Sequence, residues 1–173
     1  MERSPAATGN LAYWLSPRAE LEPDRVALID LGEGERISTY GELDARIDRA
    51  AGLVRAAGIG PGERVIVAIG NRTAFLEAMF GVMRAGAVPV PLNTRLGPLQ
   101  LAHCVADADP VGAILEVEAA PALPALLDGR QLRLRLAVGD PPPGFAPWEA
   151  ALASARPLGA PVVLPAGAIC FLA

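Results

Sequence analysis

Apolar and polar positions along this chain switch between a period of two and a period near 3.6, and the switches mark its elements. The pattern is densest from Gly58 to Leu101. Gly58, Gly60, Pro61 and Gly62 break the chain, and Val65 to Ile69 is then a β-branched apolar run of the kind buried on both faces of a parallel sheet. Gly70-Asn71 turns the chain, with Asn71 predicted as an N-cap. Across Arg72 to Ala85, Phe75, Met79, Val82 and Met83 recur at the spacing of one buried helical face. Gly86 falls where a helix ends in a left-handed residue, and Ala87 to Leu92 is extended again. The stretch predicts a βαβ unit.

The rest of the chain reads outward from it. Asn10 to Leu15 predicts a short amphipathic helix anchored by Tyr13 and Trp14. Arg25 to Asp30 and Arg36 to Ser38 predict the arms of a hairpin, turned by Leu31-Gly32-Glu33-Gly34-Glu35. Thr39 and Glu42 form a T-x-x-E capping box opening a helix. That helix carries Leu43, Ile47, Ala50, Val54 and Ala57 on its buried face, leaves Asp44, Arg46, Asp48 and Arg49 in water, and ends at Gly58. Pro89 and Pro91 remove the donors on one side of their strand, so that strand is expected at an edge. Pro98 opens a helix with Leu101, Ala102, Val105 and Ala108 inward, and Asp109-Pro110 stops it. Val111 to Val117 is the next strand, and Pro121 to Asp128 is a short helix at best. Gln131 to Val138 alternates leucines with Arg133 and Arg135, which predicts one solvated face. Three consecutive prolines stiffen the loop from Gly139 to Gly144. Pro147 to Ala155 reads as a short helix with Trp148 inward, and Ala168 to Ala173 as a central strand.

Composition sharpens this picture. At 173 residues the chain can bury one substantial core. Its mean hydropathy of +0.35 points to a large core or to apolar surface that expects a partner. A net charge of −4 gives a nucleic-acid role no electrostatic support. All 15 basic residues are arginine, so lysine chemistry is excluded from this piece. Cys104 and Cys170 are read as free, buried thiols in a reducing compartment, and a lone His103 excludes a histidine-rich metal site. The N-terminus lacks a signal-peptide pattern. The most apolar window, Ala74 to Leu92, carries Glu77, Arg84, Pro89 and Pro91 and makes a poor membrane span. A cytoplasmic protein is the expectation.

Two segments also carry a resemblance. Met83-Arg84-Ala85-Gly86-Ala87-Val88-Pro89-Val90-Pro91-Leu92-Asn93 resembles the second core motif of the adenylate-forming superfamily, which includes acyl-CoA synthetases, luciferases and peptide-synthetase adenylation domains. Ile37-Ser38-Thr39-Tyr40-Gly41-Glu42-Leu43 is similar to its first core motif, and Gly62-Glu63-Arg64-Val65 and Asn71 lie in register between them. The Pro-Val-Pro-Leu-Asn-Thr-Arg-Leu ending leans toward the acyl-CoA synthetase branch, and the likeness runs from about Asn10 to the last residue. The resemblance implies an α/β fold, a mostly parallel sheet flanked by helices with an N-terminal β-hairpin. Residues 1–173 would be the N-terminal portion of the AMP-binding (adenylation) domain, ending just before the phosphate-binding loop.

It also implies a parent ligase that uses ATP, Mg2+ and CoA to turn a small carboxylic acid into acyl-AMP and then a thioester. None of these cofactors is expected to bind this piece tightly, and the piece alone is expected to be inactive. No catalytic residue and no metal ligand is assigned. Arg95, just after the second motif, is the single candidate, as a contact to the CoA phosphates that its planar fork suits. Other chemistry fails on inspection. Gly58-Ile59-Gly60-Pro61-Gly62 precedes its strand, where a dinucleotide fingerprint follows one. Gly70-Asn71-Arg72 sits at a strand end where α/β folds bind ligands, although an N-cap with a solvated arginine explains it too. The expected partner is the remainder of the adenylation domain or a partner chain. Two rivals stay open: a non-catalytic interaction module with an incomplete sheet, and an unrelated flavodoxin-like nucleotide-binding domain.

Overall fold

The computed structural model describes residues 2–32 and 35–172. Glu33 and Gly34, in the expected hairpin turn, and Ala173 lie outside the described residues. In chain order the elements are α1 (Pro5–Thr8), a 3-10 turn (Leu11–Tyr13), α2 (Ser16–Leu21), β1 (Val26–Asp30), β2 (Arg36–Thr39), α3 (Tyr40–Ala56), β3 (Arg64–Ala68), α4 (Thr73–Arg84), β4 (Val88–Pro91), α5 (Pro98–Ala108), β5 (Gly112–Glu116), α6 (Leu123–Leu126), β6 (Leu134–Val138), β7 (Ala146–Pro147) and α7 (Trp148–Ser154). Strands β1 and β2 form an antiparallel hairpin. The other five form a parallel sheet in the order β4-β3-β5-β6-β7. Numbered among themselves they run 2-1-3-4-5, the doubly wound order whose switch point lies between β3 and β5.

Alternation along β3 divides the core. Val65, Val67 and Ile69 face α3, α4 and α7, together with Ile114, Leu136, Val82 and Trp148. Ile66 and Ala68 face α5 and α6, with Val90, Leu115, Leu101 and Leu123. Both faces of the sheet are therefore buried, as the unbroken apolar run requires. On the first face α3 and α4 approach closely, because Gly81 leaves room for the Ala50 methyl.

Several expectations meet the structure unchanged. The capping box is made in both directions, Glu42 N–H to Thr39 Oγ1 at 3.2 Å and Thr39 N–H to Glu42 Oε2 at 2.9 Å. Gly58 and Gly86 take positive φ of 72° and 85°. Strand β4 is an edge: Val88 and Leu92 donate to Glu63 and Val67 carbonyls on the β3 side, so the nitrogens of Pro89 and Pro91 face outward.

Others are corrected. Asp44 and Asp48 do not stay in water; they are buried with Arg84, whose side chain is fully buried. Arg84 donates to Asp44 Oδ1 at 2.8 Å, Asp48 Oδ1 at 2.7 Å, Ser16 Oγ at 3.2 Å and the Ala12 carbonyl at 3.0 Å. Its guanidinium lies 4.7 Å from the Tyr13 ring centre. Arg3 closes the cluster with a 2.5 Å bond to Asp48. Helical periodicity placed the two carboxylates on the polar face because no residue on their own helix reveals the arginine opposite. Arg46 is likewise half-buried, paired through Nε with the fully buried Glu77, while Arg49 is exposed as expected.

Asn71 does not cap α4. Arg72 occupies the N-cap without a side-chain bond, and Asp30 of the hairpin accepts from Thr73 N–H and Oγ1 at 2.8 and 3.0 Å. The segment 168–172 is not a central strand but irregular and largely exposed. Its backbone makes one hydrogen bond to the sheet, Leu172 N–H to the Pro89 carbonyl at 3.1 Å, since an edge stripped of donors offers half a ladder. Arg135 does not sit on a solvated face: it donates to the Arg130 carbonyl at 2.7 Å and lies 5.6 Å from the Phe145 ring centre. Cys104 and Cys170 are free but half-buried, and Trp14 is half-exposed against Phe80. Strand β7 had no sequence signal, being two residues long with a proline.

The buried cluster yields a stability prediction. Arg84→Met leaves Asp44 and Asp48 buried without their main counter-charge and should cost about 3–5 kcal/mol, measured by urea denaturation. Arg49→Met, on the exposed side of the helix that carries Asp44 and Asp48, should change stability by less than about 0.5 kcal/mol.

Candidate functional site

In doubly wound sheets ligands bind outside the carboxyl ends of the strands, at the switch point. Here that crevice lies beyond β3 and β5, and its residues are already engaged with one another. Glu116, the last residue of β5, is buried. Its Oε2 accepts the Gly70 N–H at 2.8 Å, and its Oε1 pairs with Arg72 at 3.1 Å. A backbone donor and a guanidinium are what an anion would use at this place. The backbone donor is taken by a carboxylate, which also pairs with one nitrogen of the exposed Arg72 and repels phosphate.

Beside the crevice a cavity of about 580 Å3 opens between the hairpin and the start of α4, lined by Ile29, Asp30, Asn71, Arg72, Thr73 and Phe75. Asp30 ties its two walls. Besides the Thr73 bonds it accepts the Gly32 N–H at 3.0 Å through Oδ1. The backbone N–H of Thr73 first, then that of Gly32, hold its carboxyl below the usual range, since both bonds favour the charged form. At the sheet's other margin a second cavity of about 470 Å3 lies between the end of β4 and α5, lined by Val90, Leu92, Leu96, Cys104, Asp107 and Leu172.

Arg95 stands in the loop joining β4 to α5, at the same carboxyl edge but lining neither cavity. Its backbone is turned by Asn93, whose Oδ1 accepts the Arg95 N–H at 3.0 Å. The residue is exposed, and its side chain has no ion pair among the described residues. The structure thus puts Arg95 and Arg72 on one edge without bringing them together. Sequence reasoning missed Glu116, read only as the interior of a strand, and Asp30, read as the end of a hairpin arm. For Asp30 a signal was present: Asp-x-Gly before a loop is an Asx-turn pattern. His103 is exposed on α5.

This architecture, an N-terminal hairpin followed by a doubly wound parallel sheet, is the N-terminal part of an adenylate-forming synthetase. The profile of the AMP-binding enzyme family matches residues 15–167, and the chain belongs to that family. It is 40% identical over 137 residues to a feruloyl-CoA synthase from an Amycolatopsis species, covering 77% of this chain and 27% of that protein. It is 35% identical over 149 residues to a salicyl-AMP ligase / salicyl-S-ArCP synthetase from Mycobacterium tuberculosis, covering 82% and 26%. Among solved structures, a benzoate CoA ligase from Burkholderia xenovorans superposes with a TM-score of 0.81 at 25% identity, over 92% of this chain and 31% of that one. The chain spans about a quarter of the length of the curated relatives it matches. Among the described residues no helix is long and apolar enough to cross a membrane.

The depressed titration of Asp30 gives a prediction with a definite sign. Its stabilisation is complete above the ordinary aspartate value of about 3.9 and is lost as the pH falls through the lower folded value. Asp30→Asn should therefore melt at lower temperature than the parent at pH 7, and the gap should close as the pH is taken below that folded value. Parallel melting curves with an unchanged gap would refute the cap.

Proposed function

We propose that this chain supplies the first scaffold of an AMP-forming acid–CoA ligase. In that reaction a carboxylate oxygen attacks the α-phosphorus of ATP, releasing pyrophosphate and forming acyl-AMP. A thiol sulfur then attacks the acyl carbon, and AMP leaves with the bonding electrons. The observation that carries the reading is the family match over residues 15–167, with both core motifs inside it. Residues 1–173 are the opening portion of the adenylation domain, and the phosphate-binding loop belongs to a segment that follows.

The residues present fit one of the implied cofactors in part. Arg95 is exposed, unpaired among the described residues and held at the sheet's carboxyl edge, which suits a contact to the CoA phosphates. ATP with Mg2+ does not fit. Phosphoryl chemistry needs backbone donors and a cation around the phosphates. Here lysine is absent, the Gly70 N–H is bonded to Glu116, and the same carboxylate pairs with Arg72. The same carboxylate counts against a free-standing nucleotide-binding domain. The chain's own contribution is to seat Arg95, to form part of the acyl-pocket wall and to hold the open edge of β4.

A non-catalytic interaction module is the second reading. It is favoured by the acceptor-only edge of β4 beside the exposed Ile169 and Phe171. Pyrophosphate exchange decides between activity and scaffold. The purified chain should show no carboxylate-dependent exchange with feruloate, salicylate, benzoate or a fatty acid; exchange above background would remove the scaffold reading. Co-purification with a chain that completes the sheet would favour the module. In the ligase carrying this segment, Arg95→Ala should raise the KM for CoA several-fold and leave acyl-adenylate formation intact. An unchanged CoA KM would take Arg95 out of the site.

A further inference from the structure

Residues 155–164 leave α7 and cross the back of the molecule as a strap with no helix or strand of its own. The strap touches down on elements far apart in sequence. Leu158 N–H donates to the Asp48 carbonyl at 3.1 Å, and Leu164 N–H to the Thr8 carbonyl at 2.8 Å. Between them the Val162 carbonyl accepts from Asn10 Nδ2 at 3.5 Å. Asn10 also donates to the Met83 carbonyl at 2.9 Å, so the strap, the N-terminal segment and α4 meet at one side chain.

Glycines clear its path. A Cβ on Gly52 would overlap the Arg156 carbonyl oxygen, one on Gly9 the Leu164 carbonyl oxygen, and one on Gly86 would meet Val162 Cγ1 at 3.0 Å. Gly9 and Gly86 have positive φ of 65° and 85°, which accounts for glycine by backbone conformation alone. Gly52 has no such reason. It lies inside α3, where glycine is the poorest helix former after proline. Passage of the strap explains it.

We propose that 155–164 is a latch, seated in register by Gly52, that closes over α3 and the N-terminal segment and opens as a unit ahead of the sheet. Its grip is light: a few hydrogen bonds, Leu158 against the first core face, and Val163 58% exposed. Closed, the latch fixes where the chain arrives at the free edge of β4. The proposal concerns this chain's own fold and does not rest on the ligase reading.

Native-state hydrogen exchange on the purified chain tests it. In the parent, the Leu158 and Leu164 amides should exchange through an opening with little urea dependence, while amides of β3 and β5 require the global transition. Gly52→Ala should speed exchange at Leu158 and Leu164 at least tenfold and leave the slowest strand amides unchanged. Gly159→Ala, with open space around its Cβ, should change neither. Two results would overturn the latch. One is Gly52→Ala keeping parental exchange and melting higher, as an ordinary helical Gly→Ala change does. The other, read on the parent without any variant, is strap amides that share the urea dependence of the strands.

Discussion

Arg84 carries its charge into a place with no solvent exposure, and the arrangement around it is what makes the N-terminal third of the molecule one body with the sheet. Desolvating a guanidinium is tolerable only when its donors find acceptors of opposite charge at good distance. Asp44 and Asp48, one turn apart on α3, supply two carboxylates. Ser16 and the Ala12 carbonyl accept further N–H groups of Nη2 from the segment before the hairpin, while the buried Nε has no partner among the described residues. The cluster therefore joins three stretches of chain that share no sheet hydrogen bonds. Asp44 directly follows the first core motif and Arg84 lies in the second, so this ion pair ties the helix that the first motif opens to the second motif.

A second constraint follows at the margin of the sheet. Proline at 89 and 91 leaves β4 with carbonyls but no N–H groups on its outer side. Such an edge cannot pair with a copy of itself, because neither strand would donate. It accepts a segment that brings its own N–H groups, and Leu172 makes one such bond. Two prolines thus blunt an exposed edge against self-association while leaving it open to a segment that supplies N–H donors.

Much of this was legible in the sequence because it is written in local chemistry. The Thr39–Glu42 box, the glycines at 58 and 86, Pro98 at the start of α5 and the β-branched run of β3 each act within a few residues, and each stands where the pattern put it. Long-range pairings were not legible. Asp44 and Asp48 read as solvated because period analysis assigns polar residues to water, and only the fold brings Arg84 across from α4. Asn71 has the side chain of a cap, but Asp30 arrives from another element and satisfies the same donor with a full charge. Ala168 to Leu172 has the composition of a buried strand, but composition does not provide the neighbour a strand needs.

The carboxyl edge of the sheet shows how the same fold can hold a ligand or decline one. Position alone would nominate the β3/β5 crevice, since helix start, backbone donor and arginine converge there. Glu116 reverses that assignment. Its buried carboxylate satisfies the Gly70 N–H and balances Arg72, so the crevice is neutral and internally bonded before any anion arrives. One strand over, the β4–α5 loop has no equivalent acid among its described ion pairs, and Arg95 is left facing water. The geometry thus divides a single edge into a half closed by Glu116 and a half where the exposed Arg95 has no ion pair among the described residues.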